Sequence, residues 1–376
     1  MWVIHRVTLV AAAGAAGAVL AAGVALAPGA GASTPASFAG GFKSVSTVAS
    51  TIPENGDLNP YGVAVVTRSQ GKLRNGDVLV SNFNDKANAQ GTGTTIVEVA
   101  PNGTVSLFAQ ISAANLPGRC PGGLGLTTAL DILPGGWVVV GSLPTVGGNP
   151  ATAKAGCLLV LNSAGRVVET FSGHGINGPW DMTAVSFGYT TDLFVANVLN
   201  GTVAAGGKIV HKGTVLRLTV TRALHGMPKL TAVTTIGSGF AEETNLAALV
   251  IGPTGVGLGR NGWLYLADTI ENRIAAIPDA LSRTTSAKTG VTVSRNGAIQ
   301  GPLGLTIAPD GDILTVNSLN GNLVEVTPKG AQVAVKALDK SGSPPGAGAL
   351  FGLALAPHFT GVYFVDDATN TLDLLH

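Results

Sequence analysis

Two segments of this chain, 49 residues apart, follow nearly the same pattern. One begins at Gly252-Pro253-Thr254-Gly255 and ends an apolar run at Asp268, and the other begins at Gly301-Pro302-Leu303-Gly304 and ends its apolar run at Asn317. In both, a glycine turn separates two short apolar runs. Such a pair of runs predicts a β-hairpin, and a fixed period of about 40 to 50 residues indicates a chain built from repeated units.

Six copies of this unit can be traced, each with the content of about four short strands. Their opening segments start near Pro60, Leu126, Pro179, Pro253, Pro302 and Phe351. The sixth copy has only three strands, whereas residues 42–49 alternate like a half-buried strand and belong to no copy. We therefore predict an all-β, six-bladed β-propeller in which this N-terminal strand completes the last blade. Ring closure of this kind leaves no exposed sheet edge.

The loops of such a ring are unequal. Each blade runs from its inner strand outward, so the loops after the second strands and those between blades share one face, here called the top face. The second-strand loops are long in blades one to three, at residues 82–94, 141–156 and 197–213, and short at 268–273 and 317–322. Because long loops on a rigid scaffold often carry binding residues, we expect the ligand on the top face of blades one to three.

Residues 1–32 have the features of an export signal. His5 and Arg6 precede a long run of small apolar residues, and Ala30-Gly31-Ala32 has the form of a cleavage site. An uncleaved membrane anchor is the alternative, since about 20 apolar residues can span a bilayer. We expect an exported protein, periplasmic or extracellular, whose residues 33–376 form a single propeller domain.

Charge and cysteine content narrow the classes of partner. Without Arg6 the 22 basic residues become 21, which equals the number of acidic residues. This balance argues against nucleic acid or an anionic membrane as the partner. We expect a monomer that binds a small molecule, a glycan or a protein.

The chain contains two cysteines, Cys120 and Cys157. The strand order places both on the top face of adjacent elements, so we predict a disulfide between them. Two separate buried thiols are the alternative.

The repeat resembles the NHL repeat, most clearly in blade four, where Pro253-Thr254-Gly255 leads through Gly262 to Asp268 and then Asn272-Arg273-Ile274. Propellers of this type include interaction modules, lyases and lactonases of the SMP-30/gluconolactonase type. The resemblance implies a fold shared by several functions. Lactonases of this type hold a divalent metal with Glu, Asn and Asp, and their Glu opens the first inner strand. Here Asn59-Pro60-Tyr61 occupies that position and contains no Glu.

Oxygen-bearing side chains nevertheless end the second strand of five blades and predict a site for calcium or magnesium. They are Asn82, Asn197, Asp268, Asn317 and Asp366. The alternative is structural, because Asp and Asn often cap the following turn through their own backbone. Recurrence in so many blades suits this capping role, since a metal needs only three or four ligands.

Catalytic and ligand-binding candidates lie near the third blade. Asp181 opens an inner strand at a place where no other blade has a charge, and His174 or His211 could act with it as a general base. The alternative is that both histidines are solvent-exposed loop residues. Tyr61 and Trp180 occupy equivalent inner-strand entries, so we expect them, with Asp181, to contact a ligand. Packing of the two aromatic rings in the core is the alternative.

These observations leave two functions open. The first is an exported binding or scaffold propeller. The second is a metal-dependent hydrolase or lactonase that uses the central channel, and a lyase has less residue support. Glu242 and Glu243 are expected to form a solvated acidic turn in a top-face loop.

Overall fold

The computed structural model describes residues 37–224 and 226–376. The predicted export signal, residues 1–32, lies outside them. Within the described residues, no helix is both long and apolar enough to cross a lipid bilayer.

Six antiparallel sheets make up the described chain, and their order confirms the predicted six-bladed propeller. The first strand of the chain is β1 (Val45–Ser50). Blade one contains β2 (Leu58–Val65), β3 (Val78–Asn84), β4 (Thr95–Val99) and β5 (Val105–Gln110). Blade two contains β6 (Leu126–Leu133), β7 (Trp137–Ser142), β8 (Cys157–Leu161) and β9 (Val167–Phe171). Blade three contains β10 (Gly178–Phe187), β11 (Thr190–Val198), β12 (Val210–Thr221), β13 (Lys229–Asn245) and the short β14 (Leu249–Ile251).

The remaining blades follow the same order. Blade four contains β15 (Pro253–Leu258), β16 (Leu264–Asp268), β17 (Arg273–Ile277) and β18 (Val291–Arg295). Blade five contains β19 (Pro302–Ile307), β20 (Ile313–Asn317), β21 (Asn322–Val326) and β22 (Gln332–Ala337). Blade six contains β23 (Leu350–Leu355), β24 (Val362–Asp366) and β25 (Thr371–Leu375). The helices of the described chain are short. A 3₁₀ turn at Ala39–Gly41 precedes β1, and α1 (Thr202–Ala205) and the 3₁₀ turns at Ala113–Asn115, Pro150–Thr152 and Pro357–Phe359 lie between strands.

Strand β1 closes the ring as predicted. It pairs antiparallel with β25, and Val45 is opposite Leu375. Glu325 in blade five fixes the segment that leads into this strand, because its carboxylate accepts hydrogen bonds from the Ser37 hydroxyl and the backbone N–H groups of Phe38 and Ala39. The predicted disulfide between Cys120 and Cys157 is also confirmed.

Apolar side chains fill the spaces between neighbouring blades. Six buried clusters can be distinguished, one between each adjacent pair of sheets around the ring. The cluster between blades six and one extends to the axis, where it includes Tyr61, Trp180 and Phe351. The hydrophobic core is therefore a ring of inter-blade layers, and one layer reaches the central channel.

Every inner strand changes register near its top end. A β-bulge of this kind breaks the ordinary alternation and redirects side chains. The residues skipped by the six register shifts are Tyr61, Thr127 to Ala129, Trp180, Thr254 and Gly255, Leu303 and Gly304, and Phe351 and Gly352.

Glycine at these bulges lets neighbouring inner strands approach each other. A Cβ atom at Gly304 would collide with the carbonyl oxygen of Phe351 in blade six, and one at Gly352 would collide with the carbonyl oxygen of Tyr61 in blade one. Gly62 and Gly255 face the next blade in the same way. The inner strands therefore pack backbone against backbone around the axis.

Replacing one of these glycines should loosen the ring. Gly352→Ala places a methyl group against the Tyr61 carbonyl, and overpacking of this kind costs about 1–3 kcal/mol. Gly41→Ala is the matched control, because nothing lies within 4 Å of the Cβ it would add. Urea unfolding monitored by circular dichroism would measure both variants. Equal stability of the two variants would contradict the close packing.

Candidate functional site

A cavity of about 480 Å³ opens on the top face around the axis of the propeller. It is here called the top cavity, and blades one, three, four, five and six all contribute to it. The top cavity therefore lies at the centre of the ring, whereas the sequence led us to expect a ligand over blades one to three.

Aromatic rings form the floor of the top cavity. Tyr61 stacks against Phe351 with ring centroids 3.9 Å apart and against Phe83 at 4.4 Å, and Trp180 lies 6.3 Å from it in a tilted orientation. All four side chains are at most 5% exposed. Tyr61, Trp180 and Phe351 are bulge residues, so the repeated bulge positions these aromatic side chains at the axis. The structure thus brings together Tyr61 and Trp180, the two predicted aromatic contacts.

Amide side chains with unpaired oxygen atoms line the wall of the top cavity. The side-chain oxygens of Asn59, Asn84 and Gln90 are buried and have no hydrogen-bond partner. The nitrogen of Asn84 donates to the side-chain oxygen of Asn88 at 2.6 Å, which fixes the orientation of its amide. A buried acceptor without a partner costs about 1–3 kcal/mol, so these oxygens favour a ligand that supplies hydrogen-bond donors or positive charge.

One carboxylate faces the same cavity. Asp367 is the only charged residue among the described residues that line it. Burial, and then the neighbouring Asp366, raise the pKa of Asp367 to about 7. Burial, and then Asp367, raise the pKa of Tyr61 well above its ordinary value, so its hydroxyl stays protonated and can donate a hydrogen bond.

A hairpin that was not expected from the sequence covers one side of the top cavity. Strands β13 and β14 pair from Glu243 with Ile251 to Asn245 with Leu249, and residues 242–251 are here called the cap hairpin. The side-chain nitrogen of Gln90 in blade one donates to the carbonyl oxygens of Leu246 and Ala247 at its tip, at 3.3 and 3.0 Å. The cap hairpin is thus tied to the loop of blade one, and Ala247 and Ala248 line the cavity.

The expected exposed acidic turn at Glu242 and Glu243 is wrong. Glu242 belongs to β13 and is fully buried, and its carboxylate accepts hydrogen bonds from the backbone and side-chain N–H groups of Asn200 at 2.9 and 3.4 Å. Glu243 is partly exposed. The contact with Asn200 joins the base of the cap hairpin to the long loop of blade three.

Asp181 lies apart from the top cavity although it follows Trp180 directly. Its side chain lines a second, smaller cavity on the axis, formed further along the inner strands. In blade three Asp181 follows the bulge residue, at the place where four other blades have glycine. Its Oδ2 accepts a hydrogen bond from the backbone N–H of Val256 in blade four at 3.0 Å. The three predicted ligand contacts therefore belong to two cavities.

The histidine candidates lie elsewhere. His174 is exposed in the turn after β9 and lines an outer groove between blades two and three. His211 is exposed on β12. Neither residue is among those that line the top cavity or the cavity of Asp181. Their role as bases is a prediction that this geometry does not support.

Two of the metal candidates have fully engaged amide groups. The side-chain oxygen of Asn197 accepts from the N–H groups of Asn177 and Gly178, and its nitrogen donates to Gly175 and Thr214. Asn317 accepts from the N–H of Gln300 and donates to Ala298 and Asn320. Both side chains thus cap neighbouring loops, in agreement with the structural alternative.

Two further metal candidates keep open oxygen atoms, and neither lines the top cavity. Asp268 forms an ion pair with Arg273 at 2.8 Å through one carboxylate oxygen, and its other oxygen is unpaired. Asn82 donates to Thr51 and Thr95, and its oxygen is unpaired. Metal binding by these residues remains a prediction.

Comparison with known proteins supports the fold. No protein-family model matches the chain, and no curated protein matches its sequence. Among solved structures, a gluconolactonase from Xanthomonas campestris aligns with a TM-score of 0.55 and 10% identity over 88% of each chain. The calcium-binding protein regucalcin from Agrobacterium tumefaciens aligns with a TM-score of 0.50 and 12% identity, over 87% of this chain and 92% of its own.

A third structural neighbour is a dehydrogenase. The PQQ-bound aldose sugar dehydrogenase from Streptomyces coelicolor aligns with a TM-score of 0.50 and 15% identity, over 88% of this chain and 97% of its own. At such low identity the likeness establishes the shared β-propeller fold alone. The NHL-type resemblance of the repeats stays a prediction.

The buried carboxyl of Glu242 should make stability depend on pH. Burial raises the pKa of Glu242 from 4.5 to about 7, although the hydrogen bonds from Asn200 act to lower it. The folded protein therefore keeps a proton that the unfolded chain releases, so this contribution to stability is complete below pH 4.5 and is lost as pH rises through about 7. Glu242→Gln should flatten the fall in the free energy of unfolding across this window, whereas Glu243→Gln should not. Chemical unfolding at several pH values measures this, and an unchanged slope in Glu242→Gln would count against a buried proton.

Proposed function

We propose that the top cavity binds a small, uncharged, hydroxylated ring compound, and that the protein is a ligand-binding propeller. The observation that carries this proposal is the set of three buried amide oxygens without partners above an aromatic floor, at Asn59, Asn84 and Gln90. Hydroxyl groups of a ligand would donate to these oxygens, and its apolar face would pack against Trp180 and Phe351. A volume of about 480 Å³ lies within the range of small-molecule sites.

The charges of the lining argue against an anionic ligand. The described residues that line the top cavity include no lysine, arginine or histidine, so an anionic ligand would find no counter-charge there. The names of two neighbours, a gluconolactonase and an aldose sugar dehydrogenase, refer to sugars or sugar derivatives. They agree with a ligand of this chemistry.

An exported location agrees with the Cys120–Cys157 disulfide, because disulfides persist in oxidising compartments.

Calorimetric titration with D-glucose and D-glucono-1,5-lactone would test ligand binding. Asn84→Ala removes one unpaired acceptor and should weaken binding about tenfold, equivalent to about 1.4 kcal/mol. Asn102→Ala is the matched control, since Asn102 is an exposed amide in the turn between β4 and β5. Thermal unfolding would show that both variants are folded. Equal affinity of Asn84→Ala and the wild type would overturn the proposed site.

Hydrolysis of a lactone is a second candidate function, favoured by the chemistry of the same oxygens. The amide oxygens of Asn59, Asn84 and Gln90 and the carboxylate of Asp367 are hard donors of the kind that calcium takes, so this set fits a calcium ion. Calcium, when bound, would supply Lewis-acid polarisation of a lactone carbonyl. The chain itself would supply the hydroxyl of Tyr61 as a donor and the aromatic floor that orients the ring. With only one carboxylate in the set, we expect weak calcium affinity.

Lactone hydrolysis in the presence of calcium should depend on the one charged ligand. Asp367→Asn should abolish any rate above the spontaneous hydrolysis of D-glucono-1,5-lactone, because the variant loses the only negative charge among the described residues of the site. Glu271→Gln, which changes an exposed top-face acid outside the cavity, should keep the wild-type rate. A pH-stat assay measures both. If the wild type gives no rate above the spontaneous one at about millimolar calcium, the binding function stands alone.

A further inference from the structure

The cavity that contains Asp181 has a composition unlike that of the top cavity. It encloses about 140 Å³ on the axis and is here called the lower cavity. Inner-strand residues of blades one, two, three, five and six line it, including Asp131, Asp181 and the threonines Thr128, Thr183 and Thr306. Two carboxylates from adjacent blades thus face one small space.

No counter-charge is available to these carboxylates from the described residues that line the lower cavity, which include no lysine, arginine or histidine. Asp181 is 9% exposed and accepts hydrogen bonds from backbone N–H groups of Val256 and Met182. Asp131, which is partly exposed, accepts hydrogen bonds from the backbone N–H groups of Ile132, at 2.7 Å, and Ala184. A buried carboxylate such as that of Asp181 is normally paired or bound to a metal, because removing a charge from water is costly.

A second, independent feature of the lower cavity points to a ligand. The hydroxyl oxygen of Thr128 is buried in a residue that is 3% exposed, and it has no hydrogen-bond partner. Thr128 lies in the register shift of β6, where the bulge places it at the axis. The lower cavity is thus lined by two aspartates and by a threonine with an unpaired hydroxyl, which together form an incomplete set of oxygen ligands. Thr128 also borders a much smaller space beside Tyr61 and Trp180.

We propose that the lower cavity binds a hydrated hard divalent cation, Mg²⁺ or Ca²⁺, through the carboxylates of Asp131 and Asp181 and the hydroxyl of Thr128. Oxygen-only donors favour these ions over transition metals, which prefer imidazole or thiolate ligands. A volume of about 140 Å³ leaves room for roughly four water molecules at about 30 Å³ each. Water would therefore complete the coordination shell.

The cation would link two blades at Asp181, the position at which blade three lacks the glycine found in four other blades. Asp181 replaces the glycine that brings neighbouring inner strands together, and it already contacts blade four through Val256. A cation held between Asp181 and Asp131 would link blades two and three on the axis. This site is separate from the top cavity and does not rest on the function proposed for it.

Thermal unfolding of protein stripped with EDTA would test the proposal. Addition of about 5 mM MgCl₂ or CaCl₂ should raise the unfolding temperature by several degrees, because an ion that binds only the folded state stabilises it. NaCl at the same ionic strength should not. Asp131→Asn and Asp181→Asn should each lose most of the shift, and Thr128→Val, which keeps the shape of the side chain, should weaken ion affinity several-fold. The titration repeated with Asp367→Asn should keep the shift, since Asp367 belongs to the top cavity.

Calorimetric binding of either ion that is lost in both aspartate variants supports the site, and whether Mg²⁺ or Ca²⁺ binds more tightly identifies the ion. If Asp181→Asn does not fold, Asp131→Asn and Thr128→Val give the same comparison. The proposal is overturned if neither ion binds the wild type, if NaCl gives the same shift, or if only Asp367→Asn loses it.

Discussion

Close contact between inner strands is the constraint on which the rest of this structure depends. Six sheets meet around one axis, and four of their inner strands carry a glycine at the point of nearest approach because no Cβ fits there. In blades one, five and six the residue before that glycine lies in a register shift and lines the top cavity, whereas in blade four the hydroxyl of Thr254 donates to the carbonyl oxygens of Pro302 and Leu303. The same packing rule that closes the ring therefore also selects the residues that line the channel.

This rule explains which parts of the site could be predicted from the sequence. The repeated Pro-x-Gly pattern identified the blades, and the position x placed Tyr61 and Trp180 at equivalent entries to the channel. The cap hairpin could not be found in this way, because it occurs once and depends on distant contacts. Glu242 is paired with Asn200, 42 residues earlier, and Gln90 contacts Leu246, 156 residues later. An isolated acidic pair in the sequence carries no sign of such partners, so exposure was the wrong expectation.

Recurrence separates structural polar residues from candidate ligands. Asn197 and Asn317 end equivalent strands, and the oxygen and nitrogen of each amide are hydrogen-bonded to neighbouring loops. The repeated asparagine at this position is therefore explained by loop capping. Asn59, Asn84 and Gln90 do not occupy one repeated position, and their oxygens remain unpaired at the top cavity. Residues that recur can be read from the repeat, whereas the unpaired set becomes visible only when loops and strands of different blades are brought together. The sequence therefore did not indicate Asn84 and Gln90 as candidates, and it singled out Asn59 only because that segment lacks a glutamate.

Asp181 marks the one place where an acidic side chain interrupts the packing rule. A glycine at this place would allow blades three and four to meet through backbone atoms alone, as blades five and six do at Gly304. The carboxylate instead bridges to blade four through the N–H of Val256, and Asp181 lines the lower cavity together with Asp131. Burial, with Asp131 adding to it, raises the pKa of Asp181 to about 8, so the site favours either a bound proton or a bound cation. The channel therefore contains two cavities of different chemistry. The top cavity is lined by amides, the lower cavity is lined by two aspartates, and the aromatic floor lies between them. Because Trp180 and Asp181 are consecutive residues of one bulge, any change in the register of β10 would alter both cavities at once.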